Sequence, residues 1–67
     1  MGAYWIEYSQ SEYVTDIRET AFEHHHALVS KDRLIAALSD SLVKVWSAEF
    51  VMDVERFTEQ HDCDLID

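Results

Sequence analysis

Between Ser30 and Glu59 the chain contains neither glycine nor proline, yet it holds most of the aliphatic residues. A run without those two punctuators carries no strong stop signal, so it reads as helix. Its apolar positions fall into two seams. The first is Leu34/Ile35, Leu38, Leu42 and Val45; the second is Trp46, Phe50, Val54 and Phe57. At about 100° per residue these are not one stripe, the second being rotated by roughly a quarter turn. Either the run breaks near Ser39-Asp40-Ser41 to give three helices, or one long helix uses its halves differently. The second reading is preferred, because no residue there is a strong breaker. The first half then packs within the chain and the aromatic half packs on a second protomer.

Upstream, Ser9 and Glu12 match a capping box, which predicts a helix start. Val14, Ile17, Ala21, His24 and Leu28 follow at steps of three and four and so share one face. Glu12, Asp16, Glu19 and Glu23 share the opposite one. Val29-Ser30 is the expected break, with Ser30 as N-cap and Asp32 in the next first turn. So short a connection makes the two helices antiparallel. Ala3 to Tyr8 alternates Tyr4, Ile6 and Tyr8 and would suit a strand, but with helices elsewhere a lone strand lacks a partner. It is expected instead as an extended arm. The predicted architecture is therefore all-α. It is a helical hairpin, with helices over about residues 10–28 and 31–60 and an arm over 1–9. The tail 61–67 frays, and two copies form an intertwined homodimer.

The chain has 67 residues, and a domain of that size buries only about 60% of its unfolded surface. Small chains commonly add a disulfide, a metal or a partner subunit. One cysteine, Cys63, excludes an internal disulfide, which favours a second subunit and fits a reducing compartment. Fourteen acidic residues against five basic ones give a formal charge of −9. That balance argues against direct nucleic-acid binding and against anionic membranes, both of which need Lys and Arg. No apolar run approaches a membrane span, and there is no basic segment leading an apolar block as in a signal peptide. A cytoplasmic protein is expected, binding other proteins, including ones with basic surfaces.

Chemistry-bearing motifs are sparse. Glu23-His24-His25-His26 places three imidazoles side by side, but adjacent helical residues diverge by about 100° and cannot close on one ion. Glu23 and His26 stand three apart, a possible half-site, and they are the only metal candidates; no cofactor is expected. His24 lies on the apolar stripe, where burial would make its protonation costly and loosen the hairpin below about pH 6. Asp62 and Asp64 flank Cys63 and oppose formation of a thiolate, so a catalytic cysteine is not expected. The single glycine, Gly2, leaves no phosphate-binding loop. An enzyme is not expected. The aromatic residues Trp46, Phe50, Val54 and Phe57, with Trp5 from the arm, are instead the expected partner or dimer interface. Glu12, Asp16, Glu19 and Glu23 are the expected acidic docking face.

In size, acidity and Gly/Pro-poor texture, and in the segment EYSQSEYVTDIRETAFEHHHALVSKDRLIAALSDSL, the chain resembles small early proteins of lambdoid bacteriophages. The resemblance implies a non-enzymatic regulator in the host cytoplasm, binding host or phage proteins to modulate host physiology or developmental choice. Two alternatives stand beside it. One is an acidic mimic of nucleic acid that occupies a basic groove. The other is a metal-responsive regulator built on His24, His25 and His26.

Overall fold

The computed structural model describes residues 2–10 and 24–67. Its centre is a mixed four-stranded sheet. In chain order the elements are β1 (Ala3–Gln10), β2 (His25–Val29), α1 (Lys31–Ser39), β3 (Val43–Val51), α2 (Val54–His61) and β4 (Leu65–Ile66). The strands lie side by side as β3-β1-β2-β4. β1 pairs antiparallel with both β2 and β3, and β2 pairs parallel with β4. The all-α expectation is thus overturned.

The alternation in AYWIEYSQ now has its explanation. Successive strand residues point to opposite faces, and both faces of β1 are covered. Ile6 joins Ala27 and Val29 in a buried cluster that Tyr4, Tyr8, Val45 and Leu34 of α1 extend. Ala3 joins Leu28 and Val51 on the other face, packed by Trp5, Cys63 and the α2 residues Val54 and Phe57. The expected arm is therefore the central strand. The topology dictates this sandwiching. The path from β2 to β3 crosses the sheet one way, and the path from β3 to β4 crosses back. With right-handed crossovers, the usual hand, the two helices fall on opposite faces.

The predicted long helix over 31–60 fails at Asp40, where side-chain chemistry outcompetes helix propagation. α1 starts as expected: the Ser30 hydroxyl accepts from the Arg33 amide at 3.2 Å, with Asp32 in the first turn. It ends when Asp40 turns extended. The Asp40 carboxylate accepts from the Leu42 amide at 2.9 Å, and its carbonyl accepts from Val43 N–H at 3.2 Å. Such a local side-chain turn is a known rival to helix for Asp and Ser. The chain reverses there into β3, where Val, Trp and Phe suit a pleated surface. Asp53 then restarts helix, its carboxylate accepting from Arg56 N–H at 3.1 Å. α2 closes on Asp62 in the left-handed conformation (φ 48°), whose N–H reaches the Thr58 carbonyl.

The predicted helix over 10–28 is corrected in the same way. Gln10 ends β1, and His25–Val29 is a strand; residues 11–23 lie outside the described ones. Ser9 is no N-cap but a buried strand residue. The tail is not loose along its whole length, since Leu65 and Ile66 pair with Leu28 and Val29. Ser30 N–H donates to the Ile66 carbonyl at 3.0 Å, and the Arg33 guanidinium donates to the Asp67 carbonyl at 3.2 Å. An intertwined dimer of long helices loses its basis along with the helix. Among the described residues, no helix is long and apolar enough to cross a membrane.

Leu28 has no exposed surface and sits between the sheet and α2. Leu28→Ala is expected to cost about 2–5 kcal/mol, the range for buried leucines. Leu38→Ala on the open side of α1 should stay within about 0.5 kcal/mol. Urea titrations followed by circular dichroism would measure both.

Candidate interaction surface

β3 ends the sheet on one side, so along its outer edge alternate N–H and C=O groups have no strand partner among the described residues. Nine residues is long for such an edge, and most of them are exposed. The strand carries a bulge. β1 pairs Glu7 with Ser47 and Tyr8 with Val45, leaving Trp46 as the extra residue. An inserted residue bends a strand, adds twist and re-aims side chains. Here it leaves Lys44, Trp46, Ser47 and Glu49 on the α2 side of the sheet, and Val43, Val45, Ala48 and Phe50 on the α1 side.

Each exposed aromatic is held from below. The Trp46 indole N–H donates to the buried Ser9 hydroxyl at 3.0 Å. The His24 ring lies 4.7 Å from the indole, and the Lys44 ammonium sits 3.9 Å over it, a cation–π contact. His24 Nδ1 in turn lies 2.7 Å from the Glu7 carboxylate. On the other face Phe50 meets Tyr4 edge-on, with centroids 5.5 Å apart. Gly2 passes against that ring so closely that a Cβ there would collide with its edge. Trp46 and Phe50 are thus fixed in orientation while 41% and 55% exposed. Beyond them, Met52 on the strand's exit and Leu42 on its approach are exposed as well.

The five residues predicted for one interface are divided among three elements. Trp46 and Phe50 lie on β3 but on opposite faces of the sheet. Val54 and Phe57 belong to α2 and help cover the core beside Trp5 of β1, whose ring is 5.0 Å from Phe57. Around Trp5 stand His26, stacked at 5.4 Å, and His61, itself stacked on Phe57 at 3.9 Å. The predicted acidic face of Glu12, Asp16, Glu19 and Glu23 lies outside the described residues, as does Glu23 of the metal half-site. Strand geometry divides the three histidines between faces. His24 and His26 are on the α2 side, and His25 meets Tyr8 on the other. His24 is therefore an exposed surface residue paired with Glu7, not the buried histidine that a pH-sensitive hairpin required. The described residues contain no group of three His, Cys, Asp or Glu side chains that could hold a metal ion. Cys63 packs half-buried against the Ala3, Leu28 and Val51 cluster.

Sequence reasoning missed Ser9, Lys44, His24 and Glu7 as the support of Trp46. The alternating Val43-Lys44-Val45 was the available signal for a strand, but the bulge breaks the alternation one residue later. An open cleft of about 280 Å³ between α1 and the sheet is lined by Ile6, Tyr8, Val29, Ala37, Val43 and Ile66, with Arg33 at its side. It is apolar and holds no convergent set of reactive groups.

Comparison with protein-family models, with curated proteins and with solved structures finds no match to this chain.

The indole–hydroxyl bond gives a direct test of how Trp46 is oriented. Trp46→Phe and Ser9→Ala should each destabilise the fold. Their coupling in a double-mutant cycle is expected near 0.5–1.5 kcal/mol, the usual net worth of such a bond. Urea unfolding of the four proteins would supply it.

Proposed function

We propose that the chain is a non-enzymatic protein–protein interaction module that binds by adding a strand to its β3 edge. The observation that carries this reading is the nine-residue edge strand, flanked by two exposed aromatics whose orientations are fixed from below. An unpaired edge supplies main-chain hydrogen bonds to an incoming strand, and alternate side chains supply selectivity. Aromatic residues held in place lose little freedom on contact, which is why they so often anchor interfaces.

The reading fits the role implied by the resemblance to early phage proteins, a regulator that works in the host cytoplasm by contact. The overall charge narrows the partner class: a chain at −9 repels phosphate backbones and anionic lipid, which leaves proteins. The nucleic-acid mimic rests on an acidic stripe within residues 11–23, and the metal-responsive reading on His24, His25 and His26, which the sheet divides between its two faces. Neither gains support from the described residues.

Photocrosslinking tests the proposal. Benzoylphenylalanine placed at Ser47 on β3 should yield covalent protein adducts in a bacterial host, whereas the same probe at Gln60 on α2 should not. Phe50→Ala should reduce the Ser47 adduct several-fold. Equal labelling from both sites, or none from Ser47, would overturn the reading.

A further inference from the structure

We infer that the strand added to the β3 edge is β3 of a second copy of this chain, paired antiparallel so that Lys44 of each copy faces Glu49 of the other. The inference rests on the reading of β3 as the binding edge, and it names the occupant.

The first support is charge. The chain carries −9 overall, but β3 contains one base, Lys44, and one acid, Glu49, so the strand itself is neutral. An edge fitted to a basic partner would be acidic like the rest of the chain. A neutral edge with one charge of each sign toward either end is what self-pairing around a two-fold axis needs, because each charge then meets its opposite. The same pairing brings two −9 chains together through the one strand where their charges cancel.

The second support is register, which the bulge restricts. Because Trp46 is an extra residue, the side-chain alternation shifts by one between Val45 and Ser47. Directly opposed residues in an antiparallel pair must project from the same face. Only pairings that match the segment before the bulge with the segment after it satisfy this along the whole strand. One of them places Val43 opposite Phe50, Lys44 opposite Glu49, Val45 opposite Ala48 and Trp46 opposite Ser47. Of these four pairs, the two on the α1 face are apolar and the two on the α2 face each contain a polar or charged residue. The regular alternation of β1 also ties hydrogen-bonding phase to face. A register that matches faces therefore matches outward-pointing backbone groups too. The two-fold axis passes between Trp46 and Ser47, so the two bulges coincide rather than interrupt the ladder twice.

The third support is what the pairing would cover. Extending the same register sets exposed Leu42 opposite Val51 of the second copy. Both α1 helices come to one face of a continuous eight-stranded sheet, flanking the axis. The exposed Ile35 and Leu38 belong to that helix, which packs over β1 and β3. Lysines and bulges often protect edges against indiscriminate pairing. In this register they instead select a single partner strand.

The test uses the full chain. Light scattering after size exclusion, across tens to hundreds of micromolar, should give a mass of two chains. K44E and E49K each create two like-charge contacts per dimer and should weaken self-association about tenfold or more. Mixed together, K44E and E49K should form a heterodimer, since every facing pair is again of opposite sign. The double exchange K44E/E49K should restore the homodimer. Circular dichroism checks that the variants fold. Should either single variant not fold, Ser47→Cys in a Cys63→Ser background carries the test: mild oxidation should close an intermolecular disulfide, and Gln60→Cys should not. A wild-type monomer throughout this range overturns the inference, as does a dimer indifferent to the charge exchanges. If the chain is monomeric but the probe at Ser47 captures a different protein, only the self-pairing falls. If that probe captures nothing, the interaction reading falls with it.

Discussion

Everything in this fold depends on β1 being buried on both faces while hydrogen-bonded on both edges. Its backbone is satisfied by β2 on one side and β3 on the other, and its side chains feed two separate cores. A domain of this length cannot build one thick core. It instead builds two thin ones that share a strand. Each is closed by a helix of about two turns with no fully buried residue of its own. The helices act as lids on the sheet, and their ends are secured by Ser30, Asp40, Asp53 and Asp62 rather than by packing alone.

That economy explains why apolar surface is left over. α1 spans nine residues and lies mainly against β1 and β3, so Leu34 is covered while Ile35 and Leu38 are not. At the far side of the sheet, two residues of β4 cover the edge of β2. The β3 edge has no equivalent cover among the described residues. In the interaction reading, the strand richest in exposed aromatics is thus also a long edge with no strand partner among the described residues, and the two features address the same partner.

The sequence made some of this legible and concealed the rest for identifiable reasons. Ser30 as N-cap and Asp32 in the first turn were readable because capping is local chemistry. The alternation of Tyr4, Ile6 and Tyr8 was readable too. A strand needs partners, however, and in the sequence alone both partner segments read as helix. HHALV fits a helical stripe only through the chance spacing of Ala21, His24 and Leu28. In β3 the bulge at Trp46 broke the period of two, so Val45, Trp46 and Phe50 mimicked the ends of two helical seams. The quarter-turn mismatch between those seams was a real signal, but it marked a change from helix to strand rather than a change of partner. A break at Ser39-Asp40-Ser41 is one of the two readings the seams allow, and the Asp40 turn gives it its physical cause. The support beneath Trp46 was beyond reach, since Ser9, His24 and Lys44 meet only once the sheet has assembled.

The pairing of β1 with β3 has a kinetic side. Ala3 pairs with Val51, and Tyr4 with Phe50, so contacts at the start of the chain wait for residues far along it. Loop closure of that span must precede any reward from the ladder, which slows folding relative to a helical hairpin of equal length. Until β3 arrives, the aromatic segment Tyr4-Trp5-Ile6 has an open edge of its own, at the stage when unpaired strands are most prone to misassociate. The strand that organises the finished domain is therefore its most exposed liability while the domain is being made.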